Sequence, residues 1–357
     1  MKKLFTQQLV CASVLLLAVT SGVLPGATRT IIKVASTVPA NGDLNPYGVA
    51  LVPMTMGNLQ AGHILVSNFN NSLNLQGTGS TIMDIAPNGT VNVFAQIGAS
   101  DCPGGIGLTT ALVVLKAGYV IVGSLPTTDG TSATAQAGCL LVLNSGGTVV
   151  GTFVNAMING PWDMTALDGG TTASLFVTNV LNGTVAGNGS VVDQGTVIRI
   201  DLSILANALP AIQSITVIGS NFPERTDPNA LVIGPTGVAL SQDLTLYVAD
   251  SLNNRIAAIP HAVSRNSSAG IGTTLLSGGS LNDPLGLTIL KDNIFAVNGN
   301  NGLLLNISTD GTLLGQRLLD ASGMPPGAGA LFGVATAVRG LYFVDDATNT
   351  LNLLPNN

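Results

Sequence analysis

Gly-Pro-Thr-Gly-Val-Ala-Leu (234–240), Leu-Tyr-Val-Ala-Asp (246–250) and Asn-Asn-Arg-Ile (253–256) form one unit of a pattern that the chain repeats six times with variations. Its parts are short alternating runs rich in Val, Leu and Ile, separated by turn residues, as β-meanders require. Repeats of this length built from short strands read as blades of a β-propeller. Anchored on Gly237, the pattern recurs at Gly48, Gly107, Asp163, Gly286 and Gly333, with spacings of 59, 56, 74, 49 and 47 residues. Six anchors predict an all-β, six-bladed propeller with four-stranded antiparallel blades.

Each anchor opens an inner strand. A second strand follows, at 63–68, 119–124, 175–179, 246–250, 294–298 and 341–345, and each ends in a small polar residue. Third strands are predicted at 80–86, 139–144, 196–202, 255–260 and 303–308. Turns such as Pro87-Asn88-Gly89-Thr90 and Thr309-Asp310-Gly311-Thr312 then lead to an outer strand, because Asn-Gly and Asp-Gly tolerate the positive φ of tight hairpins. The last unit is one strand short. Residues 30–36 at the other end of the chain supply it most economically, which closes the ring and removes an unpaired edge. The longest insertions, 182–193 and 219–233, fall in the third unit.

The setting follows from composition. Only 8% of the 357 residues are charged, 44 are Gly and the formal net charge is −6. Twelve scattered basic residues cannot neutralise a phosphate backbone, so nucleic acid is excluded as a partner. Lys2 and Lys3, the apolar run 9–19 and the small residues Ser21, Gly22, Gly26 and Ala27 make the three-part pattern of a secretory signal, bacterial in style. Residues 1–27 are therefore expected to be a signal peptide and 28–357 a single extracytoplasmic propeller domain. The apolar run is short of the ~20 residues that span a bilayer, and no later stretch is long enough. Beyond it only Cys102 and Cys139 remain, an even count that permits a disulfide in an exported chain and equally permits two free thiols.

The three quoted segments, at these separations, resemble the NHL repeat, with the other five units as weaker copies. The resemblance implies the propeller fold and leaves function open, since the family includes ligand-binding scaffolds, interaction domains, lyases and hydrolases. The basic and His positions frequent in the repeat are mostly missing, and only Arg255 keeps the Asn-Arg pair.

In a propeller the starts of the inner strands gather around a central channel, where ligands bind. Asn68, Ser124, Asn179, Asp250, Asn298 and Asp345 recur once per unit at the ends of the second strands. Oxygen donors of this kind suit Ca²⁺, with Asn179 and Asp250 as candidate ligands. Asx side chains also cap nearby backbone N–H groups, which gives the same recurrence a purely structural cause. His63 and His261, the two histidines, have no Cys, Glu or His at ligand spacing, which argues against zinc.

Enzymatic chemistry would fall to carboxylates. Glu224 is the one Glu of the chain, inside Asn-Phe-Pro-Glu-Arg-Thr-Asp-Pro (221–228). If that insertion folds over a channel mouth, it brings Glu224, Arg225 and Asp227 to a ligand; otherwise it is a solvated connector in which Arg225 pairs with a carboxylate. Trp162, the sole Trp, precedes Asp163 at the start of the third inner strand, suited either to stack on a ligand or to plug the core. The reading favoured is an exported, non-enzymatic module that binds a protein, glycan or small molecule at a channel mouth or a face. The alternative is a divalent-cation-dependent hydrolase or lyase similar to the gluconolactonase family.

Overall fold

Inner strands rich in Val, Ala and Leu, interrupted by Gly, allow six sheets to stand edge-on around one axis. The computed structural model describes residues 29–206 and 208–356, so the expected signal peptide lies outside them. The fourth blade shows the unit plainly: Pro235–Leu240, Leu246–Asp250, Arg255–Ile259 and Thr273–Ser277 pair antiparallel in chain order. The other inner strands are Leu44–Leu51, Leu108–Val114, Pro161–Asp168, Pro284–Leu290 and Leu331–Ala337, and each neighbours the next around the ring. The protein is a six-bladed β-propeller.

Closure occurs as the short sixth unit requires. Ile32–Ser36 pairs antiparallel with Thr350–Pro355 as the outermost strand of the sixth blade. Burial is divided accordingly. Six apolar clusters fill the wedges between adjacent blades, and a seventh, built around Tyr47, Phe69, Trp162 and Leu231, sits at one end of the channel.

The anchor glycines have a direct steric cause. A Cβ on Gly237 would lie closer than 3.0 Å to the Leu285 carbonyl of the next inner strand, and Gly286 and Gly333 face Phe332 and Tyr47 in the same way. Hydroxyls bridge the same seam. Ser67 accepts from the Gly48 N–H (2.9 Å) and donates to the Thr109 carbonyl (2.8 Å). Thr178 likewise accepts from the Asp163 N–H (3.0 Å) and donates to the Thr236 carbonyl (2.9 Å).

The third blade departs from the unit. Its outer strand, Ala211–Asp227, runs 17 residues and pairs with the extended third strand, Val192–Ser203, so that Val192 faces Glu224. Leu231–Ile233 then folds back as a fifth strand. The 221–228 segment is thus a bulged strand rather than a solvated connector. Pro223 is tolerated near the end of this ladder, beside register shifts at Asp193 and Gly195. Cys102 and Cys139 are disulfide-bonded, with Cα atoms 6.0 Å apart. The bond ties the chain leading into the second blade to the third strand of that blade. A closed loop of this size stabilises by about 4 kcal/mol in the chain-entropy picture.

Deleting residues 28–38 removes the closing strand and bares an edge. At about 1 kcal/mol per lost pairing hydrogen bond, the loss in unfolding free energy should be roughly 3–5 kcal/mol by urea titration; an unchanged midpoint would refute the closure. Gly333→Ala places a methyl against the Tyr47 carbonyl. It should cost roughly 1–3 kcal/mol, the usual penalty of overpacking, in the same assay.

Candidate functional site

The channel end at the starts of the inner strands is roofed on one side only. After Glu224 the third blade's outer strand continues past the blade. The strap 225–233 crosses toward the first blade, where Gln76 donates its amide N–H to the Asn229 carbonyl (2.8 Å). Leu231 and Val232 bury themselves on Tyr47, Phe69 and Trp162. The opposite side stays open as a cavity of about 440 Å³. Its floor is Tyr47, Trp162, Leu285 and Phe332, and its walls are the strap (Asn229, Ala230, Val232) and the loop from Met324 to Gly329.

Aromatic contacts make the floor rigid. Tyr47 stacks between Phe69 (centroids 4.6 Å apart) and Phe332 (4.0 Å), and Trp162 meets Tyr47 edge-on at 5.8 Å. Trp162 is 3% exposed. It therefore packs in the apolar plug and also lines the cavity.

Two carboxyls face this space, Asp283 ahead of the fifth inner strand and Asp346 after the second strand of the sixth blade. Each has a buried oxygen, Oδ1, with no partner among the described residues, as has Gln76 Oε1. Burial pushes Asp283 up to about 6, with the Asp227 carboxylate adding to the rise and Arg225 opposing it. Burial and the neighbouring Asp345 push Asp346 up to about 7. Burial, with Asp346 nearby, raises the Tyr47 phenol well above its ordinary value. Asn45 and Asp283 both precede a proline and both hold φ +56°. The equivalent residues of the second and third blades, Gly104 and Gly160, also have positive φ. Left-handed backbone is cheap for Gly and costs more for other residues. Where Asn and Asp replace Gly, a polar side chain is placed at the mouth.

The residues singled out from sequence are dispersed. Asp163 takes the anchor position where the other blades have Gly. Its carboxylate accepts from the Met164 N–H (2.8 Å) and, across the seam, from the Val238 N–H (3.0 Å), and it lines a separate cavity of about 250 Å³ further along the channel. Burial nevertheless raises it to about 7. Glu224 lies beneath the strap rather than at the mouth. Thr184 donates to its Oε1 (2.9 Å), its Oε2 is buried without a partner among the described residues, and burial pushes it up to about 8. Arg225 pairs with Asp227 at 2.7 Å, near enough to Asp283 to shift it.

Asn179 and Asp250 are each engaged within their own blades. Asn179 accepts from the Asn159 N–H (2.9 Å) and donates to the Met157 carbonyl (3.2 Å), while Asp250 holds the buried Arg255 guanidinium at 2.7 Å. Asn68, Ser124 and Asn298 likewise bond the backbone of the chain leading into their own inner strands. Among the described residues no three His, Cys, Asp or Glu side chains come together as a metal would need. The carboxyls at the mouth escaped the sequence reading for a simple reason. Asp346 lies one position beyond the recurring polar residue, and Asp283 looks like an ordinary turn residue until its φ is known.

No family model and no curated protein sequence matches the chain. Solved structures do. Regucalcin from Agrobacterium tumefaciens, described as a calcium-binding protein, superposes with TM-score 0.56 at 13% identity, covering 92% of this chain and 94% of that one. A protein described as a putative gluconolactonase gives 0.53 at 14%, covering 93% of each chain. Virginiamycin B lyase from Staphylococcus aureus gives 0.53 at 12%, covering 92% of this chain and 99% of that one. At these identities the likeness is one of fold, and it defines the class of protein, a six-bladed propeller.

The buried carboxyls make a sign-definite prediction. Each has a folded pKa above its unfolded value, so its contribution is fully present at low pH and is lost as pH rises through the folded value. For Glu224 the window runs from about 4.5 to about 8. Glu224→Gln should therefore melt progressively higher relative to wild type from pH 5 to pH 9; a constant gap in melting temperature would contradict the burial argument.

Proposed function

We propose that this chain is an exported binding module of the NHL-like propeller type that takes a small ligand into the half-roofed mouth between the 225–233 strap and the loop from Met324 to Gly329. The observation that carries the reading is a cavity of about 440 Å³ with an aromatic floor, lined by residues that carry buried oxygens without partners among the described residues. Ligand sites are typically concave, of ~300–1,000 Å³, mostly apolar and furnished with few polar groups. A folded protein rarely leaves buried polar atoms unmatched, because each costs ~1–3 kcal/mol. The signal-like pattern of residues 1–27 and the Cys102–Cys139 bond support export.

The alternative, a divalent-cation-dependent hydrolase or lyase, would use the same mouth. It would draw on Asp283 and Asp346, which line the mouth, rather than on Asn179 and Asp250, which do not line it and of which Asp250 holds Arg255 through Oδ2. Both readings keep the site and differ in turnover.

Trp162 is the only Trp and lines the cavity, so its emission reports on occupancy. A panel of small glycans, lactones and amines should contain compounds that change this emission saturably. Asn300→Tyr, an exposed substitution at the rim, should weaken those compounds at least tenfold without lowering the melting temperature. Emission unaffected by every compound would sink the binding reading. Turnover of a lactone that depends on added Ca²⁺ would replace it with the alternative.

A further inference from the structure

The ligand's chemical class is written in the polar atoms that the mouth leaves unmatched, an inference that rests on the binding reading above. Ten buried side-chain oxygens lack a partner among the described residues, and three of them, Gln76 Oε1, Asp283 Oδ1 and Asp346 Oδ1, belong to residues lining the one 440 Å³ cavity. They come from three different blades, the first, fifth and sixth. No arginine, lysine or histidine lines this cavity. The nearest cation named by its electrostatics, Arg225, is already paired with Asp227 at 2.7 Å. A ligand that satisfies this mouth therefore supplies hydrogen-bond donors and positive charge.

The apolar surfaces describe the rest of the molecule. Tyr47 and Phe332 stack at 4.0 Å, and Leu285, Val232 and the Met324-Pro325 side chains close the walls. With both Tyr47 faces covered by Phe69 and Phe332, the floor offers an apolar or aromatic body ring edges and the Leu285 side chain. We propose that the mouth binds a small primary amine with an apolar or aromatic body, its ammonium N–H groups donating to Gln76, Asp283 and Asp346 and its body lying on the Tyr47–Phe332 floor. An ammonium group carries three donors and no acceptor, which matches the three acceptors left unmatched among the described residues. Neutral polyol hydroxyls can also donate to these carboxyls but gain nothing from their charge.

The charged neighbours set the pH behaviour. Asp283 feels Asp227 and Arg225, and Asp346 feels Asp345 and faces the Tyr47 phenol, which stays neutral. With the two carboxyls raised to about 6 and about 7, ammonium binding near pH 6.5 must displace protons, and affinity must fall at lower pH.

The probes are 2-phenylethylamine and its neutral counterpart 2-phenylethanol, titrated into the full mature chain while Trp162 emission and heat are recorded. The amine should bind saturably and at least tenfold more tightly than the alcohol at pH 8. It should weaken at least tenfold at pH 5, and heats in two buffers of different ionisation enthalpy should show proton release at pH 6.5. Asp283→Asn and Asp346→Asn should each weaken the amine at least tenfold and leave the alcohol unchanged. If either variant does not fold, the proton release in wild type decides. Equal binding of amine and alcohol, or amine binding without proton release, overturns the cation assignment while the mouth remains a binding site. Sugars or lactones that perturb Trp162 where the amine does not would do the same. Silence from every class overturns both the assignment and the binding reading.

Discussion

Everything in this propeller depends on how closely neighbouring inner strands approach at the channel. At Gly237, Gly286 and Gly333 the next blade's carbonyl occupies the space a side chain would need. Ser67 and Thr178 tie the same seam by accepting from one strand and donating to the next. The approach holds six sheets at one radius, and only then do the six apolar wedges between them close. Asp163 shows the constraint by exception. Its carboxyl spans the third seam to the Val238 N–H, so an acidic side chain performs there the joining that close backbone contact performs at Gly237, Gly286 and Gly333.

The binding mouth arises where the third blade exceeds the repeat. A regular blade would end its outer strand near the rim. Here Ala211–Asp227 overruns, and the strap that follows lies across the channel to reach Gln76. Burial of Leu231 and Val232 on the aromatic plug holds the strap down. Half the mouth is thereby sealed with apolar side chains, and the open half is desolvated enough to raise Asp283 and Asp346. The repeat provides the platform, and its one overgrown blade provides the asymmetry that a ligand requires.

Much of the fold was legible because the propeller is written in local signals repeated six times. Second strands at 246–250 and the third strand at 303–308 fall where the alternation places them, and the missing sixth outer strand pointed directly to residues 30–36. The site was less legible, for two physical reasons. Segment 221–228 is charged and contains two prolines, which reads as a loop, yet partners in Val192–Gly195 hold it as a strand that no local pattern announces. The residues that matter at the mouth are chosen by long-range geometry. Asp283 is ordinary in Asn-Asp-Pro and becomes unusual only through its positive φ and its burial. Trp162 drew notice by being unique, whereas Asp346 stood beside the recurring Asp345 and was overshadowed by it.

The closing strand carries a consequence for how the protein is made. Ile32–Ser36 is synthesised before any of the six inner strands, and its partner, Thr350–Pro355, after all of them. Five blades can assemble in order while this opening segment waits with an unsatisfied backbone edge. A contact of such wide sequence separation is slow to form, because chain entropy must be lost before any bond is gained. Closure of this ring is thus a late step, a latch that fastens only once Thr350–Pro355 has been made, and a product truncated before it is left with an open edge.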